Sequence, residues 1–254
     1  MDTLASKVQA ELGNADNLYY DLDTAHIDLA VKDQYVARHL KRLELSFDMM
    51  DGLTPFVVAD LGTAGAYHPE LKKKFPGAKF HFSGPTEGKW EDHWFDIDLE
   101  WAPLPIEDNT VDIVMLFEVI EHFYEDPMYV LAEINRVLKP GGQIFLTTPN
   151  IVSAKSIASA LLGYTPMIYG KYIKVRGSRR HVHEYTPSTL KLLLDYAGLT
   201  GDIWTDNCYH KEMSHTLAFL EEHGFPINDR GDTIFGSCIK TGPVKERFPA
   251  GFYD

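Results

Sequence analysis

Two cysteines, Cys208 and Cys238, in 254 residues are too few for a disulfide framework. A reducing compartment, the cytoplasm, is the default for such a chain. No stretch approaches the roughly 18 consecutive apolar residues of a membrane-spanning helix. The first residues, Met1-Asp-Thr-Leu-Ala-Ser-Lys7, lack the charged-then-apolar order of a secretory signal. There is no internal repeat and no low-complexity linker. Basic residues are scarce: 24 against 37 acidic, for a formal net charge of −13. Nucleic acid, whose binding draws on many Lys and Arg contacts and the counterions they release, is therefore not the expected partner. What is present is ordinary for a folded domain, with 44% hydrophobic and 24% charged residues. A chain of this length buries a sizeable core without covalent staples.

The charge is uneven. Residues 151–180 carry Lys155, Lys171, Lys174, Arg176, Arg179 and Arg180 and no acidic residue, a local +6 on an acidic chain. Tyr164, Tyr169 and Tyr172 are interleaved with them. Such a run reads either as a solvated basic loop or as an electrostatic funnel for an anionic substrate.

Near the N-terminus, Val36, Leu40, Leu43, Phe47 and Met50 follow a 4-3-4-3 spacing that predicts one apolar helix face, broken at Asp51-Gly52. We read residues 1–52 as a helical cap and 53–254 as the main domain, with a substrate-side insertion at about 150–185. From Pro55 onward strand and helix signals alternate. Phe56-Val-Val-Ala59 leads to Asp60 and a Gly/Ala-rich turn, and Tyr67, Leu71 and Phe75 mark a helix. Lys79-Phe-His-Phe-Ser83 alternates like a strand, and Val111–Phe117 is an almost continuous apolar run suited to a central parallel strand. Asp126-Pro127 opens a helix that Pro140-Gly-Gly142 should end, and Gln143–Thr147 is the next strand. Thr186-Pro187 opens another helix, and 203–205 and 233–239 supply the last strands, with a helix over 211–223 between them. This alternation predicts a doubly wound α/β sheet whose ligand lies beyond the carboxyl ends of the strands.

The turn Asp60-Leu-Gly62-Thr-Ala-Gly65 lacks both the Gly-x-x-x-x-Gly-Lys of a phosphate loop and the Gly-x-Gly-x-x-Gly of a dinucleotide site. Together with an ordered series of downstream motifs, it resembles the first motif of the class I S-adenosylmethionine-dependent methyltransferases, of the type 11/23 branch. Asp98-Leu-Glu-Trp-Ala-Pro103 through Asp112-Ile-Val is similar to the stretch joining their third and fourth strands. Phe117-Glu-Val-Ile-Glu121-His122 resembles the signature after strand four. Glu133–Gly142, Leu146-Thr-Thr-Pro-Asn150, His183-Glu-Tyr-Thr-Pro187 and Gly231-Asp-Thr-Ile-Phe235 continue the series. The resemblance spans about residues 55–240. It implies a mostly parallel, seven-stranded Rossmann-like sheet with S-adenosylmethionine as cofactor.

By that resemblance Asp60, Gly62, Thr63 and Ala64 lie against the methionine and ribose end of the cofactor. Asp98 and Leu99 meet the adenine, and Phe117 and Glu118 sit where the sulfonium is held. Asp98 as a turn residue and Glu118 as a helix-start acid are the alternatives. Where the family has an acid ending strand two, this chain has Ser83, which can make only part of the ribose contact. His122 and His183 are the candidate bases, His122 also being readable as structural and His183 as a loop residue orienting Glu184 or Tyr185. His181 and His183, one residue apart, are by themselves weak evidence for a metal site, and no metal is expected. Tyr169, Lys171, Tyr172, Lys174 and Arg176 are the candidate acceptor contacts. The reading is O-methylation of a small molecule or glycan, sugar-containing or anionic, by in-line transfer. N-methylation of an amino sugar and a catalytically silent binding protein on the same fold are the alternatives. RNA methylation is disfavoured by the charge.

Overall fold

The computed structural model describes residues 3–13, 32–63, 67–84, 93–167 and 181–254, with only the backbone of 32–38. Seven strands form one sheet in the order β3-β2-β1-β4-β5-β7-β6. They are β1 (Val57–Leu61), β2 (Lys79–Ser83), β3 (His93–Phe95), β4 (Val111–Phe117), β5 (Leu138–Pro149), β6 (Leu199–Asp206) and β7 (Thr233–Lys240). β1 to β5 run parallel, and β7 is inserted antiparallel between β5 and β6. The sheet is therefore mixed but mostly parallel, and the doubly wound expectation holds.

The apolar run of β4 is continuous because both its faces are covered. Val114 and Leu116 enter a cluster with Ala59, Leu61, Ile144 and Leu146. Ile113, Met115 and Phe117 enter a second one on the opposite face with Val58, Phe80, Phe82 and Phe145. Each such fully buried side chain contributes about 1.5–3 kcal/mol of transfer free energy. The first cluster is completed by α4 (Pro127–Val137) and α6 (Pro187–Tyr196), the second by α3 (His68–Lys74) and α2 (Lys32–Asp48). Helix starts obey the sequence chemistry. Asp126 accepts from the Tyr129 N–H at 2.9 Å, and Thr186 and Thr189 cap each other's backbone amides.

Several elements differ from expectation. The α2 face that turns inward is only part of the predicted stripe: Leu43, Phe47 and Met50 pack into the second cluster, and Leu40 does not. Leu40 is 47% exposed, whereas Arg42 is 1% exposed and Ser46 is fully buried, because the helix presents a polar seam to the sheet end. Pro140-Gly-Gly142 does not sit beyond the α4 helix as a turn: α4 stops at Val137 and β5 begins at once, passing through these residues. A Cβ on Gly142 would stand 3.0 Å from the Lys139 carbonyl and 3.1 Å from that of Val111, so glycine permits the irregular pairing with β4 there. β3, three residues long, carries no apolar run that could have announced it. Helix α1 (Leu4–Leu12) and helix α5 (Ala154–Leu161) are likewise absent from the sequence reading, and they pack with α7 (Ser214–Glu222) through Val8, Ala154, Ala158 and Met213. One cation of the basic window is consequently not on the surface: Lys155 in α5 is 4% exposed, and burial pulls its ammonium below the usual lysine range. Both cysteines are free, and among the described residues no helix is long and apolar enough to cross a membrane.

Candidate active site

The carboxyl ends of β1, β2, β4 and β5 open on one side of the sheet, and the residues singled out there occupy distinct environments. Asp60, the fourth residue of β1, is fully buried. The Thr63 hydroxyl donates to its Oδ2, while Oδ1 has no hydrogen-bond partner among the described residues. Burial pushes the carboxyl up to about 7, against the pull of the Thr63 hydrogen bond. Gly62 comes next in the turn with φ +88°, and its N–H donates to the Ser83 hydroxyl oxygen at 2.8 Å. Ser83 thus braces the β1 turn from the end of β2. A Cβ at Gly62 would meet the two γ-methyls of Val119 at 2.8 and 2.9 Å. Gly62→Ala is therefore expected to lose on the order of 1–3 kcal/mol from the strained φ alone, which a urea melt will show; an unchanged midpoint would refute this account of the turn. Ala64 lies outside the described residues.

On β4 the chain turns sharply. Phe117 belongs to the core at 2% exposed, and so serves as a wall rather than an open contact. Glu118 has φ +55°, unusual for a residue with a side chain, and its N–H donates to the Thr147 carbonyl at 2.9 Å. Its Oε1 is buried without a hydrogen-bond partner among the described residues. A single 3-10 turn, Ile120–His122, carries the rest of the signature. Glu121 is fully buried. Thr148 donates to its Oε2 at 3.0 Å, and its Oε1 accepts no hydrogen bond from the described residues. Burial and the neighbouring charge of Glu118 hold the Glu121 carboxyl well above the usual range.

The two histidines proposed as bases part company. His122 sits edge-on to His181, with ring centroids 5.0 Å apart, and both turn Nε2 toward Glu121 Oε1, at 3.9 and 3.8 Å. His183 is exposed, its ring against Tyr185 at 4.7 Å, and its neighbour Val182 donates to the Glu121 carbonyl at 2.9 Å. Sequence reasoning misses Glu121 and His181 as site residues. The Glu121-His122 pair is visible there, but its third member lies 59 positions further on and only the fold brings it in.

A buried cation is also missed. Arg42 reaches from α2 to donate to the hydroxyls of Tyr209 (2.7 Å), Tyr67 (3.3 Å) and Thr147 (3.4 Å). Its charge faces Glu121. Asp98 is exposed and closes a turn, Oδ1 accepting from the Glu100 N–H at 3.0 Å, while Leu99 packs against the larger core cluster. Glu100 accepts the N–H groups of Tyr124, Glu125 and Asp126, which ties this turn to the loop after the 3-10 turn. Tyr169, Lys171, Tyr172, Lys174 and Arg176 fall outside the described residues.

Known proteins agree with this architecture. The family model described as "Methyltransferase domain" matches residues 86–146, which span β3, β4 and most of β5. Over this stretch the chain is similar to the class I S-adenosylmethionine-dependent methyltransferases. A probable S-adenosylmethionine-dependent methyltransferase of Mycolicibacterium smegmatis is 44% identical over 52 residues, 20% of either chain. A ubiquinone biosynthesis O-methyltransferase of Vibrio cholerae is 31% identical over 91 residues, 36% of this chain and 35% of that one. The match thus spans about a fifth to a third of these relatives' lengths. Among solved structures, a methyltransferase of Archaeoglobus fulgidus superposes with a TM-score of 0.55 at 18% identity, covering 84% of this chain and 98% of its own, which is a likeness of fold. The likeness of fold extends over 84% of the chain, and the family model matches the segment from before β3 into β5.

Proposed function

We propose that this protein is an S-adenosylmethionine-dependent methyltransferase acting on a small-molecule or glycan hydroxyl. One observation carries the reading. Two buried carboxylate oxygens, Asp60 Oδ1 and Glu118 Oε1, lack hydrogen-bond partners among the described residues, at the ends of adjacent strands. Unsatisfied buried acceptors cost about 1–3 kcal/mol or more each, so a fold keeps them where a ligand supplies donors. The ammonium and hydroxyl donors of S-adenosylmethionine fit that need. When bound, the cofactor supplies a methyl group on a sulfonium, activated for in-line displacement.

The chain's own part is placement. Asp60 and Glu118 would accept the cofactor's donors, Gly62 and Thr63 would line its ribose side, and the remaining oxygen of Asp98 would accept from the adenine amino group. Phe117 backs the site with an apolar wall. His183, exposed beside Tyr185, is positioned to take the proton of an acceptor hydroxyl, and orientation of the two reactants can supply roughly 7–11 kcal/mol of the barrier. A sugar-containing or anionic acceptor is supported by the cations and tyrosines of residues 164–176. A hydroxyl as acceptor atom is supported by the O-methyltransferase relative.

The test is the melting temperature with and without S-adenosylmethionine or its demethylated product. At 100-fold over Kd, binding adds about 2.7 kcal/mol, on the order of 5–10 °C here. We expect that shift, and its loss in Asp98→Ala. The engagement of Ser83 by the Gly62 N–H favours a second reading, a binding protein on this fold that no longer holds the ribose. No shift at millimolar cofactor would select it.

A further inference from the structure

We propose that Glu121, His122 and His181 form a binding site for one divalent transition-metal cation, of the zinc, manganese or iron(II) class. The site goes beyond the methyltransferase reading and stands without it.

The ligand atoms are Glu121 Oε1, His122 Nε2 and His181 Nε2, all within 4.8 Å of one another. The two Nε2–Oε1 separations, 3.9 and 3.8 Å, are too long for hydrogen bonds. Ligands about 2.0–2.2 Å from a common ion stand roughly 3–3.5 Å apart, so the two Glu–His pairs need to close by roughly 0.3–0.9 Å and the two nitrogens, within 4.8 Å, by about 1–2 Å at most. Glu121 Oε1 supplies the independent sign. It belongs to a fully buried side chain, points into the cluster, and accepts no hydrogen bond from the described residues.

The groups behind the ligands are arranged as a metal site requires. His181 Nδ1 faces Glu184 Oε1 at 2.9 Å. With Nδ1–H donated to that carboxylate, Nε2 is left with its lone pair toward Glu121, the tautomer a metal ligand needs. Thr148 holds the other oxygen of Glu121 at 3.0 Å and so aims Oε1. The Val182 N–H, bound to the Glu121 carbonyl at 2.9 Å, clips the segment carrying His181 to the 3-10 turn carrying the other two ligands. A cation there also offsets the repulsion between Glu121 and Glu118.

Two imidazoles with one carboxylate select zinc, manganese or iron(II) over calcium and magnesium, which prefer all-oxygen sets. Three protein ligands leave at least one coordination position open, as in catalytic sites. If the methyltransferase reading holds, that position takes the acceptor oxygen. A cation held by Glu121, His122 and His181 would supply Lewis acidity that makes an acceptor hydroxyl easier to deprotonate, with His183 as the base that takes the proton.

The experiment uses the full chain stripped with chelator, titrated calorimetrically with Zn²⁺ and separately with Mn²⁺, with metal content measured after desalting. We expect about one ion per chain. Glu121→Gln and His181→Ala should each weaken binding at least tenfold, and Glu184→Gln, which touches no ion, by roughly 10–100-fold. His223→Ala, at the far end of α7, should bind as the wild type does. Should Glu121→Gln fail to fold, Glu184→Gln carries the test, with circular dichroism as the check of structure. No uptake by the wild type, or uptake unchanged in all three site variants, which would mean an adventitious ion only, overturns the proposal. The cofactor-induced shift is read on the same stripped protein, so its absence alongside a bound ion would sink the methyltransferase reading and leave the site standing.

Discussion

Asp232→Ala is expected to destabilise the protein by about 3–5 kcal/mol, a fall of roughly 10 °C in melting temperature for a domain of this size. The carboxylate is fully buried at the start of β7 and accepts five hydrogen bonds. Three come from the backbone N–H groups of Cys208, Tyr209 and His210 at 2.8, 2.9 and 2.8 Å. The others come from His210 Nδ1 and the Thr233 hydroxyl. Alanine leaves three amides without an acceptor, and each such loss costs about 1–3 kcal/mol. The consequence reaches the site, because this anchor holds the loop of Tyr209, whose hydroxyl accepts from Arg42 and so docks α2 over the end of β5. Burial alone would raise the carboxyl of Asp232, but the His210 and backbone hydrogen bonds hold it below its usual value. Its contribution is therefore present above the unfolded pKa near 3.9 and is lost as pH falls through the lower folded value. Thermal melts at pH 7 and pH 3 check both parts: a large gap between wild type and variant at pH 7 that narrows in acid. A gap below about 3 °C at pH 7 would refute the anchor.

Asp60→Asn should act in the opposite direction on the ligand-free protein. With the folded carboxyl raised to about 7 and the unfolded one near 3.9, folding of the wild type carries no penalty below pH 4. The penalty grows between pH 4 and 7 and is complete above, reaching on the order of 4 kcal/mol. Asparagine has no charge to bury. The variant should match the wild type near pH 4 and exceed it in stability at pH 8, as urea melts at the two values will show. The same substitution should abolish the cofactor-induced shift, since it puts a neutral amide where a ligand cation finds a carboxylate. A variant less stable than the wild type at pH 8 would mean that Asp60 is already satisfied without a ligand.

If Asp60 holds the cofactor as proposed, stability and ligand binding are traded at this one position near the end of β1. The contrast with Asp232 is instructive. Both carboxylates are fully buried, but among the described residues one accepts five hydrogen bonds and the other only that of Thr63. Burial fraction alone does not separate a structural carboxylate from a candidate site carboxylate; the hydrogen bonds do.

Much of the fold is legible in residues adjacent along the chain. The apolar run at 111–117, the Asp126-Pro127 and Thr186-Pro187 helix starts and the Gly62 turn each encode a local geometry in side-chain size, hydrogen-bonding reach or permitted φ. The order of these elements then leads to a doubly wound sheet. The short β3 and helices α1 and α5 escape because their apolar residues are few and their burial depends on neighbours distant in sequence. Leu40 departs from the otherwise inward stripe of Leu43, Phe47 and Met50 for a related reason. Periodicity marks which residues share a face, whereas which face turns inward is set by what waits there: for α2, the hydroxyls of Tyr67, Tyr209 and Thr147 around Arg42.

The sequence by itself determined the central strands of the sheet, the acids near the ends of β1 and β4, and the resemblance to a family. Only the tertiary structure decided which titratable groups meet. His122 pairs with His181 and Glu121, because the Val182 N–H binds the Glu121 carbonyl and draws that segment onto the 3-10 turn. Local sequence encodes backbone geometry through short-range sterics. A cluster of ligands from separate elements is set by long-range packing, which no spacing along the chain records.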